Sequence, residues 1–441
     1  MNQPRHLRRN FTLFYLDYII FSIAFAMIGA STVVPDFVKR ITPDPQIIGI
    51  AGVMFNFCWL LPQLFFSQMV NRSTQRAAML ARFVVPVRLF FIILAAIMLL
   101  TTNTSVILVV FLICYGLFAV GDGFVTLLWA DLLGSTLTNR ARSMLFSLGQ
   151  LSVAFAVLGS REVVRYFLAP EQAVTFPRNY IGLFAIAGVI FVIAGVCLSL
   201  LREEQPEEPL QPGPTVREFL PFLGQILRTD ADFRRFAGTR VILDLATLAI
   251  PFYIVFAESA LGINSETIVG DSILLITIGS AVGALIAGWL SRRYGSRTVI
   301  RMTAVMTLLH PLLAVSSVII GSAALYAVFF ALGAVGSTIA LGYFDWVITH
   351  APPSSRPIYL GLTNTISAVS NLAPALGGVI LGALLTPMGS PAAYLVLFAI
   401  AAVMALSGLV SAFTLKEPRP KDLSEMESAT AEPSIETAKT T

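Results

Sequence analysis

The sequence has few charged residues. Aspartate, glutamate, lysine and arginine together make up 12% of its 441 residues, whereas an average soluble domain has about 25%. This shortage excludes an ordinary soluble enzyme or binding domain. The net charge of +4 does not indicate a nucleic-acid partner, because the basic residues are spread between apolar segments. We expect no nucleic-acid binding.

Residues that build metal, disulfide or catalytic sites are equally scarce. Cys58, Cys114 and Cys197 all lie inside apolar runs and lack metal-ligand spacing, so neither a metal site nor a disulfide framework is expected. The three histidines are isolated, and no glycine-rich phosphate loop or Ser/His/Asp set is recognisable. We therefore expect no enzymatic activity and no cofactor.

Long apolar runs make up most of the chain, which is 56% hydrophobic with a mean hydropathy of +0.81. A charge-free run of about eighteen residues or more is a candidate membrane-spanning helix. The predicted fold class is an all-α polytopic membrane protein with twelve transmembrane helices. The predicted spans are 11–34, 46–70, 78–101, 105–130, 143–168, 180–201, 236–259, 268–291, 298–321, 323–349, 357–386 and 391–415.

The basic residues predict the orientation of these spans. Most of the 29 lysines and arginines fall in segments that share one side of the membrane, whereas the other side holds Lys39, Arg40 and Arg178. Because cytoplasmic loops are enriched in lysine and arginine, both termini are predicted to be cytoplasmic. The predicted domains are a first bundle (1–201), a cytoplasmic linker with an interfacial helix near 215–227 (202–235), a second bundle (236–415) and a disordered tail (416–441).

A short basic turn separates the eighth and ninth spans. It reads Gly-Trp-Leu-Ser-Arg-Arg-Tyr-Gly-Ser-Arg from Gly288 to Arg297, and a degenerate copy that keeps Arg72 and Arg76 stands about half the chain earlier. Two copies at equivalent places, each after the second span of a set of six, indicate an internal repeat.

This turn resembles the loop motif of the major facilitator superfamily, Gly-x-Leu-x-Asp-Arg-x-Gly-Arg-Arg/Lys. Gly288, Leu290, Arg293, Gly295 and Arg297 match, whereas Arg292 replaces the aspartate of the family. The resemblance implies two pseudo-symmetric six-helix bundles that rock around a central cavity.

The resemblance also implies a cytoplasmic gate built from charges at the ends of the spans. Because both copies lack the motif's aspartate, the ion pairs of such a gate stay undetermined. The alternative is that these arginines only fix the topology. The gating candidates are Arg72, Arg76 and Asp131 in the first half, and Gly288, Arg293, Gly295, Arg297 and Asp345 in the second.

Charges inside spans are costly and are therefore candidates for function. Arg88 and Asp122 lie at similar depths and are predicted to pair, either as a functional or as a static pair. Arg240 and Asp244, four residues apart on one helix face, predict a local pair that eases insertion. Asp17 has no obvious partner and is the preferred proton carrier, whereas His310 before a proline is interpreted as structural. Arg161 and its charged neighbours are expected to reach towards the interface.

Uncharged polar and aromatic residues complete the list of candidates. Asn56 and Gln63 share a helix face, as do Asn364 and Asn371, and such stripes either join helices or line a watery cavity. In the family that the chain resembles, spans 1, 4, 7 and 10 face the cavity. The aromatic cavity candidates on these spans are Tyr115, Tyr253 and Tyr343.

The sequence thus predicts a secondary transporter of the cell membrane that moves a small organic solute by alternating access. Proton-coupled efflux is the preferred mode, and facilitative or symport uptake of sugars or similar metabolites is the alternative. A non-transporting sensor or scaffold is the rival from another class. The expected partners are the solute, the proton and the lipid bilayer, and the expected state is a monomer.

Overall fold

Twelve helical rods form the structure, a computed structural model that describes residues 6–63, 66, 69–70, 73, 75–169, 176–203, 224, 226–351 and 356–418. The rods of the first half are α1 (Leu7–Ile28), α2 (Pro45–Leu60), α3 (Arg76–Leu100), α4 (Thr104–Thr136), α5 (Asn139–Leu168) and α6 (Arg178–Ser199). Those of the second half are α7 (Ala231–Leu261), α8 (Ser265–Tyr294), α9 (Ser296–Ile320), α10 (Ser322–His350), α11 (Arg356–Ser370 and Ala373–Met388) and α12 (Ala392–Thr414).

The rods match the predicted apolar runs one for one. In the described part of the chain, ten helices are long and apolar enough to cross a membrane. The other two rods are α2, with 16 residues, and α5, which carries Arg161, Glu162 and Arg165. A short helix, Val33–Ile41, continues α1 after a turn at Gly29. The predicted all-helical class is confirmed.

Several rods are broken near the middle, and candidate residues lie beside the breaks. Pro86 interrupts α3, whose first segment ends at Arg88. A 3-10 turn, Ala246–Ala249, follows Asp244 in α7, and a π-turn, Ala340–Phe344, contains Tyr343 in α10. Broken membrane helices place side chains and free backbone groups at one depth, which is why transporters use them around binding sites.

The two halves meet mainly along two helix pairs, α2 with α11 and α5 with α8, and the short helix Val33–Ile41 also contacts α7 and α8. We call the end at which α1 begins and α12 ends the terminal end, and the opposite end the distal end. Near the distal end α2 and α11 approach closely. A Cβ added at Gly49 would overlap the Pro374 carbonyl oxygen, and one at Gly378 would overlap that of Pro45. The halves are therefore tightly packed at the distal end.

The segments between and after the bundles are described only in part. Residues 204–223 and 225 lie outside the described residues, and so does most of the predicted interfacial helix. The predicted disordered tail requires a correction at its start, because Lys416 and Glu417 pack on the second half. The Trp346 indole donates to the Lys416 carbonyl oxygen at 3.3 Å, and Arg297 pairs with Glu417 at 3.2 Å.

Candidate functional site

Arg88 and Asp122 lie together inside the first half. Arg88 ends the first segment of α3, and its Nη2 lies 3.4 Å from Oδ1 of Asp122 on α4. The exposed fractions of the two residues are 2% and 5%. A pair buried to this extent is weakly screened and costly to break, because loss of one partner leaves the other charge uncompensated.

Asp17 on α1 joins this pair, although no partner for it was predicted from the sequence. Arg88 and Asp122 both act on its carboxylate electrostatically, and the Trp129 side chain is its hydrogen-bond partner. Oδ1 of Asp17 has no hydrogen-bond partner among the described residues, and the side chain is 4% exposed. This buried cluster in the first half therefore consists of two carboxylates and one guanidinium. We call Asp17, Arg88 and Asp122 the charge trio.

The guanidinium of Arg88 is held by aromatic rings more than by hydrogen bonds. Its central carbon lies 4.1 Å from the ring centroid of Phe21 and 5.6 Å from that of Phe191. Nε and Nη1 are buried, and no described group accepts a hydrogen bond from them. Buried polar atoms without partners are unusual outside functional sites, where water or a ligand can bind them. The charge trio is thus a polar site that the protein leaves incomplete.

The charged pair of the second half is better satisfied. Arg240 Nε lies 3.0 Å from the Asp244 carboxylate, and the Ser370 hydroxyl donates to Oδ2 of Asp244 at 2.7 Å. The Arg240 guanidinium also lies 4.3 Å from the ring centroid of Tyr343. One acid faces one base here, so this buried pair carries no surplus carboxylate.

His310 and two of the tyrosine candidates are core residues. The Tyr253 hydroxyl and His310 Nδ1 lie 2.8 Å apart, with exposed fractions of 0% and 1%. Tyr115, also 0% exposed, packs among Phe55, Phe91 and Phe111. The cavity-lining role predicted for Tyr115 and Tyr253 is therefore corrected, because both rings point into the interior of a half.

The buried Tyr253–His310 hydrogen bond gives a test of this structural interpretation. Replacing Tyr253 by phenylalanine should lower the stability of the purified protein by about 1–3 kcal/mol, because it leaves Nδ1 of His310 buried without a partner. The affinity for solute should not change. A thermal unfolding series with and without solute measures both. A normal melting temperature with a lost affinity would instead place Tyr253 in the binding site.

The polar stripes face different surroundings. Asn56 on α2 and Asn364 on α11 are exposed, Asn371 is half-buried, and the Gln63 amide nitrogen is buried without a partner among the described residues. A side-chain amide exposed to hydrocarbon is costly. We therefore expect Asn56 and Asn364 to face water between the halves and not lipid.

The ion pairs described at the terminal end form within each half. In the first half Arg76 donates from Nη1 to Oδ2 of Asp131, and the Ala77 backbone N–H donates to Glu203 at 3.0 Å. Arg72 lies outside the described residues. The candidate gate of the first half therefore connects α3, α4 and the chain just after α6.

The charged residues at the terminal end of the second half have different partners from those of the first. Arg297 pairs with Glu417, and the Arg293 guanidinium lies 5.8 Å from the Trp289 ring centroid. Gly295 turns the chain at a φ of +80°, a left-handed conformation that favours glycine, whereas Gly288 lies inside α8. Within the described chain no cation pairs with Asp345, which is half-buried. Glu417 thus supplies the negative charge where Arg292 replaces the aspartate of the motif.

Ion pairs at the distal end cross from one half to the other. Lys39 Nζ lies 2.8 Å from Glu258 on α7, and Arg40 lies 3.8 Å from the same carboxylate. Arg161 on α5 reaches Asp271 on α8 at 2.5 Å. We call these five residues the distal latch. Arg161 thus joins the halves instead of merely reaching towards the interface, which corrects the expectation from the sequence.

A cluster within the first half supports the latch. The Tyr180 hydroxyl donates to Oδ2 of Asp36, and Arg40 Nε donates to the Tyr180 oxygen at 3.2 Å. Asp36 and Tyr180 are fully buried. Among the described residues, each ion pair between the halves lies at the distal end. The structure is therefore closed at the distal end.

Comparisons with known protein families and solved structures identify this architecture. The sequence model of the Major Facilitator Superfamily matches residues 167–370 and 265–439. A search of curated proteins found no matching sequence.

Solved transporters share the fold. A mutant of the nucleoside transporter NupG superposes with a TM-score of 0.69 at 13% identity, over 93% of this chain and 100% of that chain. The D-xylose-proton symporter gives 0.67 at 12%, over 93% and 98%. A bacterial homologue of the human lysosomal transporter Spinster, inward-facing and unoccupied, gives 0.60 at 12%, over 94% and 99%. At these identities the likeness shows the fold alone.

Proposed function

The chain belongs to the major facilitator superfamily, and from that premise we propose that it is a proton-driven transporter that exports a small organic solute by alternating access. It is a multi-pass membrane protein of a solute-transporting family. Beyond membership of this family, we propose the proton as the coupling ion, export as the direction of transport, and specific residues that bind the proton.

The closed distal end supports alternating access. If the terminal end is cytoplasmic, as the distribution of basic residues predicts, the distal latch closes the outer side and the protein is inward-facing. Rocking of the halves then has to break the Lys39–Glu258 and Arg161–Asp271 pairs, which lie 2.8 Å and 2.5 Å apart. The two halves would form the matching inner closure at the terminal end.

The charge trio supports the proposed coupling of transport to protons. Two buried carboxylates share one arginine, and one carboxylate oxygen lacks a hydrogen-bond partner in the described chain. Holding both acids ionised in a membrane interior is costly, so an acid that binds and releases a proton relieves the surplus charge. Asp17 is the proposed proton carrier, and Arg88 and Asp122 form the pair that responds to its charge.

The proposed direction is export. The rods are apolar and rich in aromatic residues, which favours a solute with apolar surface. A solute with an apolar face slowly crosses bilayers down its gradient without a carrier, so a carrier driven by protons is useful mainly in the direction that opposes this leak. Protons entering through the same protein would supply that energy.

Flux in proteoliposomes tests the proposal. Solute uptake into vesicles should be accelerated by a pH gradient that is acidic inside, because protons then leave as solute enters. Acceleration by the opposite gradient would indicate symport and contradict export. Flux that ignores both gradients would identify a facilitative transporter, and the absence of flux for every solute that binds would favour a sensor.

A further inference from the structure

A cavity of about 340 Å³ lies between α1, α5 and α8. Its walls come from both halves: α1 and the turn after it contribute Phe21, Ser22 and Thr32, and α8 contributes Thr277 and Ser280. Small-molecule sites typically measure about 300–1,000 Å³. When the halves rock, α8 moves relative to α1 and α5, so the cavity would change its access with each half-cycle.

The lining combines hydroxyl groups with an apolar surface, and none of its described residues has an ionisable side chain. The hydroxyl-bearing residues are Ser22, Ser31, Thr32, Thr277 and Ser280, and the aromatic ones are Phe21 and Phe25. A charged ligand would lose its hydration here without gaining a counter-charge. The Arg88 guanidinium lies against the Phe21 ring and is already paired with Asp122.

The hydrogen bonds that the lining residues already make determine which hydrogen-bonding groups a ligand needs. Ser22 donates its hydroxyl proton to the Tyr18 carbonyl oxygen at 2.7 Å, and Thr277 donates to that of Ile273 at 2.8 Å. Their oxygens are therefore left as acceptors. Oγ1 of Thr32 is buried, and no described residue bonds to it. A ligand with hydroxyl or amide N–H donors would satisfy these atoms.

A second crevice occupies the equivalent place in the repeat, between α7, α11 and α2, and provides a contrast. It is larger, about 810 Å³, and it is lined mainly by aliphatic side chains such as Ile50, Leu376 and Val379, all of which are more than 40% exposed. Ser370 is one of its few polar residues, and its hydroxyl already donates a hydrogen bond to Asp244. Such a surface suits lipid chains, whereas the described lining of the α1/α5/α8 cavity offers hydroxyl groups to a ligand.

We propose that the α1/α5/α8 cavity is the solute site and that it takes an uncharged small molecule carrying hydrogen-bond donors on one side and an apolar face on the other. This inference rests on the proposed transport function and names its substrate class. The hydroxyls bind the donors, and Phe21 and Phe25 pack against the apolar face.

Two matched pairs of compounds test the class by thermal shift without any ion gradient. They are phenyl glucoside with phenyl glucuronide, and uridine with uridine monophosphate. In at least one pair the uncharged member should raise the melting temperature by about 2 °C or more, and its charged partner should not. A shift by charged members alone, or by no member, would overturn the proposal.

Hydroxyl deletions test the place of binding. Thr277→Val and Ser22→Ala should each weaken the apparent affinity about three- to tenfold, because each removes one hydrogen bond. The controls are Thr298→Val and Ser407→Ala, whose hydroxyls make the same bond to their own helices away from the cavity. Equal affinities in all four variants would overturn the assignment of the cavity.

These outcomes can be separated from failure of the proposed function. If a pH gradient drives flux and Thr277→Val transports with unchanged affinity, the cavity assignment fails and proton coupling stands. If uridine or phenyl glucoside binds through Thr277 but its movement carries no proton, coupling fails and the binding site stands.

Discussion

Replacing Asp17 by asparagine should abolish solute movement driven by a pH gradient and leave solute-for-solute exchange intact. Asparagine keeps the size of the side chain but neither binds nor releases a proton, so net transport loses its driving force. Exchange needs no net proton movement and continues. Driven flux in proteoliposomes should fall to the level of empty vesicles, and counterflow of labelled solute should stay near that of the unchanged protein.

The matched control is Glu266→Gln, which neutralises a carboxylate in the first turn of α8, away from the charge trio. It should retain driven flux. Asp122→Asn is a less clean probe, because it leaves Arg88 buried without its ion-pair partner and should cost about 3–5 kcal/mol of stability. Driven flux that survives in Asp17→Asn would remove this residue as the proton carrier.

Reversing the charge of Glu258 should open the distal end. Glu258→Lys removes the pairs with Lys39 and Arg40 and places three positive charges together. Partly exposed pairs contribute up to about 1 kcal/mol each, so losing both and adding repulsion should shift the closed-to-open ratio by about tenfold or more. Spin labels at Arg178→Cys and Met388→Cys, which lie at the distal ends of the two halves, would report longer distances. The three native cysteines would first be replaced by alanine.

Two variants make this measurement decisive. Glu266→Lys introduces the same charge change on a nearby distal carboxylate that pairs with no described cation, and it should leave the distances unchanged. The exchanged pair Lys39→Glu with Glu258→Lys should restore the short distance. If Glu258→Lys leaves the distance distribution as it is, the latch does not hold the distal end closed.

The sequence predicted those features that depend on hydropathy and on depth along a helix. The spans could be placed because each apolar run is long, and the contact of Arg88 with Asp122 follows from their similar depths. The contact of Arg240 with Asp244 follows from their spacing of four residues. All three features depend only on the positions of residues along a helix axis, and these positions can be read directly from the sequence.

Other features depend on how the helices are rotated and assembled, and the sequence does not contain these directly. A membrane helix is apolar on every side, so its hydropathy gives no reliable period from which to decide which face meets the core. Tyr115 and Tyr253 were therefore assigned to the cavity although they lie inside the halves. Glu258, Asp271 and Glu417 were missed because their partners lie on other helices, more than a hundred residues away along the chain.

In the proposed cycle, solute leaves in exchange for protons that pass through the charge trio. To detect this exchange, proteoliposomes are loaded with a pH-sensitive dye and a solute that shifts the melting temperature, and are then diluted into solute-free buffer at equal pH. The lumen should become acidic as solute leaves, and Asp17→Asn should abolish the change. Solute leaving through the unchanged protein without any change in luminal pH would contradict the proposed exchange.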